Sequence, residues 1–158
     1  MPSRLTDRLT TALESARPIA ERARRAAADA QRQSWTRRAA VGIAATRVVL
    51  GCAALTLPGP AGRAWIGQGA TGRDRAVLVR ALGGRDVALG AGALLALRSG
   101  GDIRRWLVLG ATSDAVDAAA SAAGFGALPR WRRWLVLAAS GGTAGAGLLL
   151  AASFPARS

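Results

Sequence analysis

Histidine, tyrosine and lysine are missing from this 158-residue chain, and it holds one cysteine and two phenylalanines. Each gap excludes something. Without histidine the commonest general base is gone, together with His-dependent triads and His-based metal or haem ligation. One cysteine, Cys52, cannot close an internal disulfide. No aromatic residues interleave with the basic ones at base-stacking spacing, and no nucleic-acid-binding motif is present. Positions 1–38 lack an apolar stretch of the signal-peptide kind. Their four acidic residues also argue against a transit peptide.

What remains is alanine, glycine, aliphatics and arginine. The formal net charge is +13, and arginine supplies every basic side chain. That composition suggests a GC-rich bacterial genome. The basic residues cluster along the amino-terminal segment and at the ends of apolar runs, which favours a membrane over nucleic acid. The expected fold is all-α: a four-transmembrane-helix bundle preceded by a cytoplasmic amphipathic helix.

Residues 1–38 form the leader. Leu5, Leu9, Leu13, Ala16, Ile19, Ala20, Ala23, Ala27 and Ala30 recur at steps of three and four, on one helical face. Pro18 divides the run, and a second helix can start there. The face carries few large residues. It can lie on anionic lipid headgroups with Arg22, Arg24, Arg25 and Arg32 outward, pack against a second copy, or stay solvated. Trp35, Arg37 and Arg38 then read as an interfacial anchor.

Residues 39–158 form the membrane domain. Spans are expected at about 39–57, 76–97, 106–128 and 134–154. Each is near the length of ~20 residues that crosses a hydrocarbon core of ~30 Å. Pro58-Gly59-Pro60 ends the first, Pro129 stops the third, and a Gly- and Pro-rich loop holding Trp65 joins the first two. The hexapeptide RRWLVL opens both the third and the fourth span, a usual way to begin a span at the interface. The leader holds nine arginines, and the connection between the second and third spans adds Arg98, Arg104 and Arg105. The positive-inside rule therefore puts both termini in the cytoplasm of a bacterial plasma-membrane protein.

Several ionisable residues interrupt these spans. At ~1.5 Å per residue, Arg47 and Asp114 each lie ~12 Å from the cytoplasmic edge, and Asp117 one turn deeper. Arg85 and Asp86 enter from the other side and lie ~14–15 Å in; Arg80 is ~6 Å from that edge and can snorkel out or reach inward. Charges at such depth usually face a bundle interior and find partners there. Asp114 and Asp117 share a helical face, while Arg85 and Asp86 point ~100° apart. The expectation is that Arg47 pairs with Asp114 or Asp117, and Arg85 with another carboxylate. Arg47, Arg80, Arg85, Asp86, Asp114 and Asp117 are thus the candidate intramembrane polar network. Such a network can lock helices in register. It can equally line a cavity for an anion, a lipid headgroup or a proton, with Thr46, Thr112, Ser113 and Ser121 adding hydroxyls. A hard metal cation is disfavoured by three nearby arginines.

Glycines are the other candidates. Gly83, Gly84, Gly90 and Gly92 thin the second span, and Gly141 and Gly145 form a GxxxG pair in the fourth; both permit close helix approach. Gly83-Gly84 before Arg85-Asp86 can also mark irregular backbone beside a cavity. Cys52 reads as a small buried residue.

Taken together, Arg47 with Gly51, Pro58, Trp65-Ile66-Gly67, the run Arg80-x-x-Gly83-x-Arg85-Asp86-x-x-x-Gly90 and Asp114-x-x-Asp117 resemble a group of small actinobacterial four-helix membrane proteins, loosely similar to DoxX-like proteins. The resemblance covers residues 40–150. It implies a four-helix bundle and no particular activity. The expected function is that of an accessory or binding subunit in the membrane, or of a transporter- or channel-like protein. No catalytic residue, cofactor or metal is expected. The bilayer, and a second copy or a membrane partner protein, are the expected partners.

Overall fold

The computed structural model describes residues 3–67, 72–124 and 130–155, and of residues 3–16, 66 and 130–132 the backbone alone. All regular structure among them is helical. Five helices follow in order: α1 Ser3–Thr56, α2 Pro58–Ile66, α3 Arg73–Ser99, α4 Ile103–Ala123 and α5 Arg130–Ala152. The chain divides into two compact units, Met1–Arg37 and Arg38–Ser158.

In the first unit, α1 runs through Pro18 without a break, so no second helix starts there. Proline removes one amide donor, but the alanines and arginines around it are strong helix formers. Residues 17–35 are all exposed, Ile19 and Trp35 at 70% each. Glu21 and Arg25 make an exposed i,i+4 pair at 3.9 Å, a contact of little worth in water. The side chains of Leu5, Leu9, Leu13 and Ala16, part of the expected apolar face, lie outside the described residues.

In the second unit, small residues bring the helices together. A β-carbon on Gly51 would lie 2.6 Å from the Gly83 carbonyl oxygen, and one on Gly90 would lie 2.5 Å from that of Ala44. Gly51 faces Gly83 while Ala44 faces Gly90, so this part of α1 runs antiparallel to α3. Ala44 and Gly51, like Gly83 and Gly90, are seven apart, two helical turns on one face. The α3–α4 contact is also built on a glycine, because the Trp106 indole covers Gly92. Gly147 of α5 rests on Ala111 of α4. Gly84, Gly141 and Gly145 have open space where a β-carbon would be, so the described residues give them no packing partner.

The turns follow local chemistry. Gly100 takes a left-handed φ of 70° at the end of α3, where its amide donates to Ala96. Asp102 caps α4 by accepting from the Arg105 amide at 3.2 Å. The expected loop after α1 contains α2 instead. Pro58 stands at its start, where a missing amide proton has no helical partner to lose. Leu57 separates the two helices. The third expected span extends beyond the end of α4, and Pro129 lies outside the described residues.

The buried core is mostly alanine, with Leu97, Ile103, Leu107 and Leu150, and no large side chain is fully buried among the described residues. Val49, Leu50, Leu78, Leu95, Val116, Leu148 and Leu149 face outward. Cys52 is exposed as well, contrary to the buried place expected for it.

Among the described residues, two helices are long and apolar enough to cross a membrane: the Arg17–Thr56 part of α1, and Arg133–Ala152 within α5. With 27 and 21 residues, α3 and α4 have the length. Their apolarity is reduced by Arg80, Arg85 and Asp86 in α3, and by Asp114 and Asp117 in α4.

Candidate functional site

Four of those charges, Arg85, Asp86, Asp114 and Asp117, meet around Arg47. Arg47 comes from α1, one turn before the Gly51 contact. Its Nη1 donates to Asp86 Oδ1 on α3 at 2.9 Å, and its Nη2 to Asp114 Oδ2 on α4 at 2.5 Å. The same Nη2 reaches the Gly110 carbonyl oxygen of α4 at 3.0 Å. One guanidinium therefore ties three helices. Gly110 lies directly against this guanidinium: a β-carbon there would stand 3.4 Å from the Arg47 Nε and Nη2, in ordinary contact.

Arg85 makes the second link. It grips Asp117 through both nitrogens, Nη1 to Oδ1 at 3.0 Å and Nη2 to Oδ2 at 2.7 Å. This two-pronged geometry is the one a guanidinium and a carboxylate favour. Arg85 Nη2 also stands 3.5 Å from Asp86 Oδ1. Asp86 therefore sits between the two arginines. The five groups form a ladder of alternating sign: Asp114, Arg47, Asp86, Arg85, Asp117.

The ladder is graded in exposure. Arg47 and Asp114 are 14% and 11% exposed in their side chains, whereas Arg85, Asp86 and Asp117 lie between 26% and 31%. In the better-buried part, charge-assisted hydrogen bonds are strong and an unpaired charge is costly.

Arg80 is placed elsewhere. Its Nε donates to the Leu55 carbonyl oxygen at 3.2 Å in an exposed position, near the end of α1. The backbone around Gly83-Gly84 is regular helix, not an unwound lining. Thr46 and Thr112 are exposed, and the Ser113 hydroxyl is buried without a hydrogen-bond partner among the described residues.

Beside Arg47 and Asp114 lies a small cleft of about 20 Å³, room for one water. Ile43, Leu89, Trp106 and Leu107 line its apolar part, and Thr143 of α5 adds a hydroxyl. Thr143, Gly110 and Trp106 are site neighbours that spacing along the sequence did not single out. Gly110 and Thr143 lack the charge that marks a residue within an apolar run. Trp106 resembles any other interfacial tryptophan.

Chemically, the ladder can hold helices together, bind or pass a proton, or respond to a change of charge. Both guanidiniums already hold carboxylates, while the Arg85 Nε is buried without a hydrogen-bond partner among the described residues. No family model, curated protein or solved structure matches this chain.

Proposed function

We propose that this chain is a multi-pass membrane protein in which α1, α3, α4 and α5 all cross the bilayer, with both termini cytoplasmic. Its role is that of an accessory or binding subunit, held in one helix arrangement by the Arg/Asp ladder. The observation that carries this reading is Arg47, which joins Asp86 and Asp114 on two other helices at 2.9 and 2.5 Å. Charges inside a span are tolerated when they face other helices and find partners, and those of α3 and α4 do. The outward valines and leucines, with alanine and glycine between helices, support a lipid surround, where close packing of small residues takes over from hydrophobic burial. This reading agrees with the resemblance of residues 40–150 to small actinobacterial four-helix membrane proteins, loosely similar to DoxX-like ones. The arginines at 17–38 would rest on anionic headgroups, each adding about 1 kcal/mol of attraction.

The test is topology. In a Cys52→Ser background, single cysteines replace Gly59, in the α1–α3 connection, or Gly101, between α3 and α4. In sealed cells an impermeant maleimide should label the first and not the second, and the protein should resist carbonate extraction. Labelling of both, or release by carbonate, overturns the four-span reading.

A second reading, transporter- or channel-like, is favoured by one observation: the cleft beside Arg47 and Asp114 opens on the buried end of the ladder. It predicts that Arg47→Gln leaves folded protein in the membrane but alters flux of the carried species in reconstituted vesicles. The accessory reading predicts a destabilised protein that accumulates less in the membrane instead.

A further inference from the structure

The ladder is not balanced. Facing it are Arg47 from α1, Arg85 and Asp86 from α3, and Asp114 and Asp117 from α4. From α5 the described contribution to the adjoining cleft is the neutral Thr143. Three carboxylates thus stand against two guanidiniums, a net charge of minus one if all are ionised. Arg80 would supply the missing cation, but it is bound to the Leu55 carbonyl oxygen at an exposed position. A net charge held among helices inside a bilayer is strongly disfavoured, whereas a neutral ladder of the same shape is not.

We infer that the ladder carries one exchangeable proton in place of the missing third cation. The proton comes from water and forms an O–H bond on a carboxylate oxygen of Asp86, Asp114 or Asp117, leaving five groups with no net charge. This rests on the reading that α1, α3 and α4 lie in the bilayer, because in water one surplus charge needs no such partner. A proton suits the site better than a metal ion. Guanidiniums stand between the carboxylates, and among the described residues no group of three His, Cys, Asp or Glu side chains is placed to hold a metal. Exchange has an approach at each end: the cleft with room for a water beside Asp114, and the part-exposed Arg85–Asp117 pair.

The experiment is infrared spectroscopy of the purified full chain in discs of ether-linked lipid, which has no ester carbonyl to mask a protonated carboxyl. At neutral pH the wild type should show a carboxylic-acid carbonyl band, shifted in heavy water, equivalent to one group per chain. Asp86→Asn, Asp114→Asn and Asp117→Asn should each abolish it, because two carboxylates then match two guanidiniums. Arg85→Gln should double it. Absence of the band in wild type overturns the inference. So does its loss in only one of the three asparagine variants, which would place the proton by local environment and not by charge balance. A missing band with melting that rises on adding sodium ions also overturns it, assigning the counter-charge to sodium. Protein that lacks the band yet resists carbonate extraction refutes the proton alone; protein released by carbonate refutes the membrane reading beneath it.

Discussion

Replacing Gly51 by alanine adds one methyl group at the closest approach between α1 and α3. The new β-carbon would stand 2.6 Å from the Gly83 carbonyl oxygen and 2.8 Å from both the Val87 amide nitrogen and Cγ2. Two of those atoms are backbone, so a rotamer change cannot relieve them. Ordinary contact begins near 3.4 Å, and the helices must separate by the difference, about 0.8 Å. Arg47 lies one turn away on the same interface, and its 2.9 Å bond to Asp86 would stretch with the backbone. Overpacking a tight contact costs ~1–3 kcal/mol, and weakening a charge-assisted hydrogen bond adds to it from a worth of ~1.5–3 kcal/mol. The expected loss is roughly 2–4 kcal/mol. Gly84→Ala is the internal control. It lies on the same helix as Gly83 with nothing within 4 Å. It should gain ~0.5–1 kcal/mol from helix propensity. Reversible unfolding of purified protein in mixed micelles, by increasing the fraction of dodecyl sulfate, measures both. If Gly51→Ala unfolds with the wild type or with Gly84→Ala, the close α1–α3 contact is not how the protein packs.

Three further outcomes follow from other contacts. Gly92→Ala would drive a β-carbon into the Trp106 ring and should displace the indole, read as a shift in tryptophan emission; Gly92→Ala with Trp106→Leu should recover most of the lost stability. Arg22→Gln, Arg24→Gln and Arg25→Gln together should weaken protection of the leader from protease on anionic vesicles by about 3 kcal/mol, and leave it unchanged on neutral vesicles. Arg85→Lys keeps the charge but loses the paired grip on Asp117. It should cost ~1–2 kcal/mol in the same micelle assay.

The level at which the charges lie could be read from the sequence, because helical rise is uniform. Counting residues from the edge of each span expected from the sequence puts Arg47, Arg85, Asp86, Asp114 and Asp117 within about one turn of one another. Which arginine meets which aspartate could not be read that way. It depends on how each helix is rotated about its axis, and that rotation follows from which glycine faces which neighbour. Gly51 against Gly83, with Gly90 against Ala44, turns Arg47 toward both Asp86 and Asp114. Depth set Arg80 apart, nearer an edge than the other five, and its guanidinium does not reach inward but donates to the Leu55 carbonyl oxygen near the end of α1. A GxxxG spacing is equally visible at Gly141 and Gly145, which meet nothing described, while the unpatterned Gly147 touches Ala111. The short helix α2 escaped notice because proline and glycine suggest a loop, although proline suits a helix's first turn. Continuity through Pro18 was hidden for the same reason: one unfavourable residue was outweighed by many favourable neighbours.

On the proposed function, Arg47 and Asp114 act as one unit between α1 and α4. A double-mutant cycle on Arg47→Ala and Asp114→Ala, followed by unfolding in mixed micelles, tests it most directly. Breaking a buried pair at one end costs ~3–5 kcal/mol, because the other charge is left without its partner. The double variant should therefore be less destabilised than the two single variants summed, by roughly 2 kcal/mol. Losses that simply add, within ~0.5 kcal/mol, would mean that the two side chains do not interact and that the ladder does not hold these helices together.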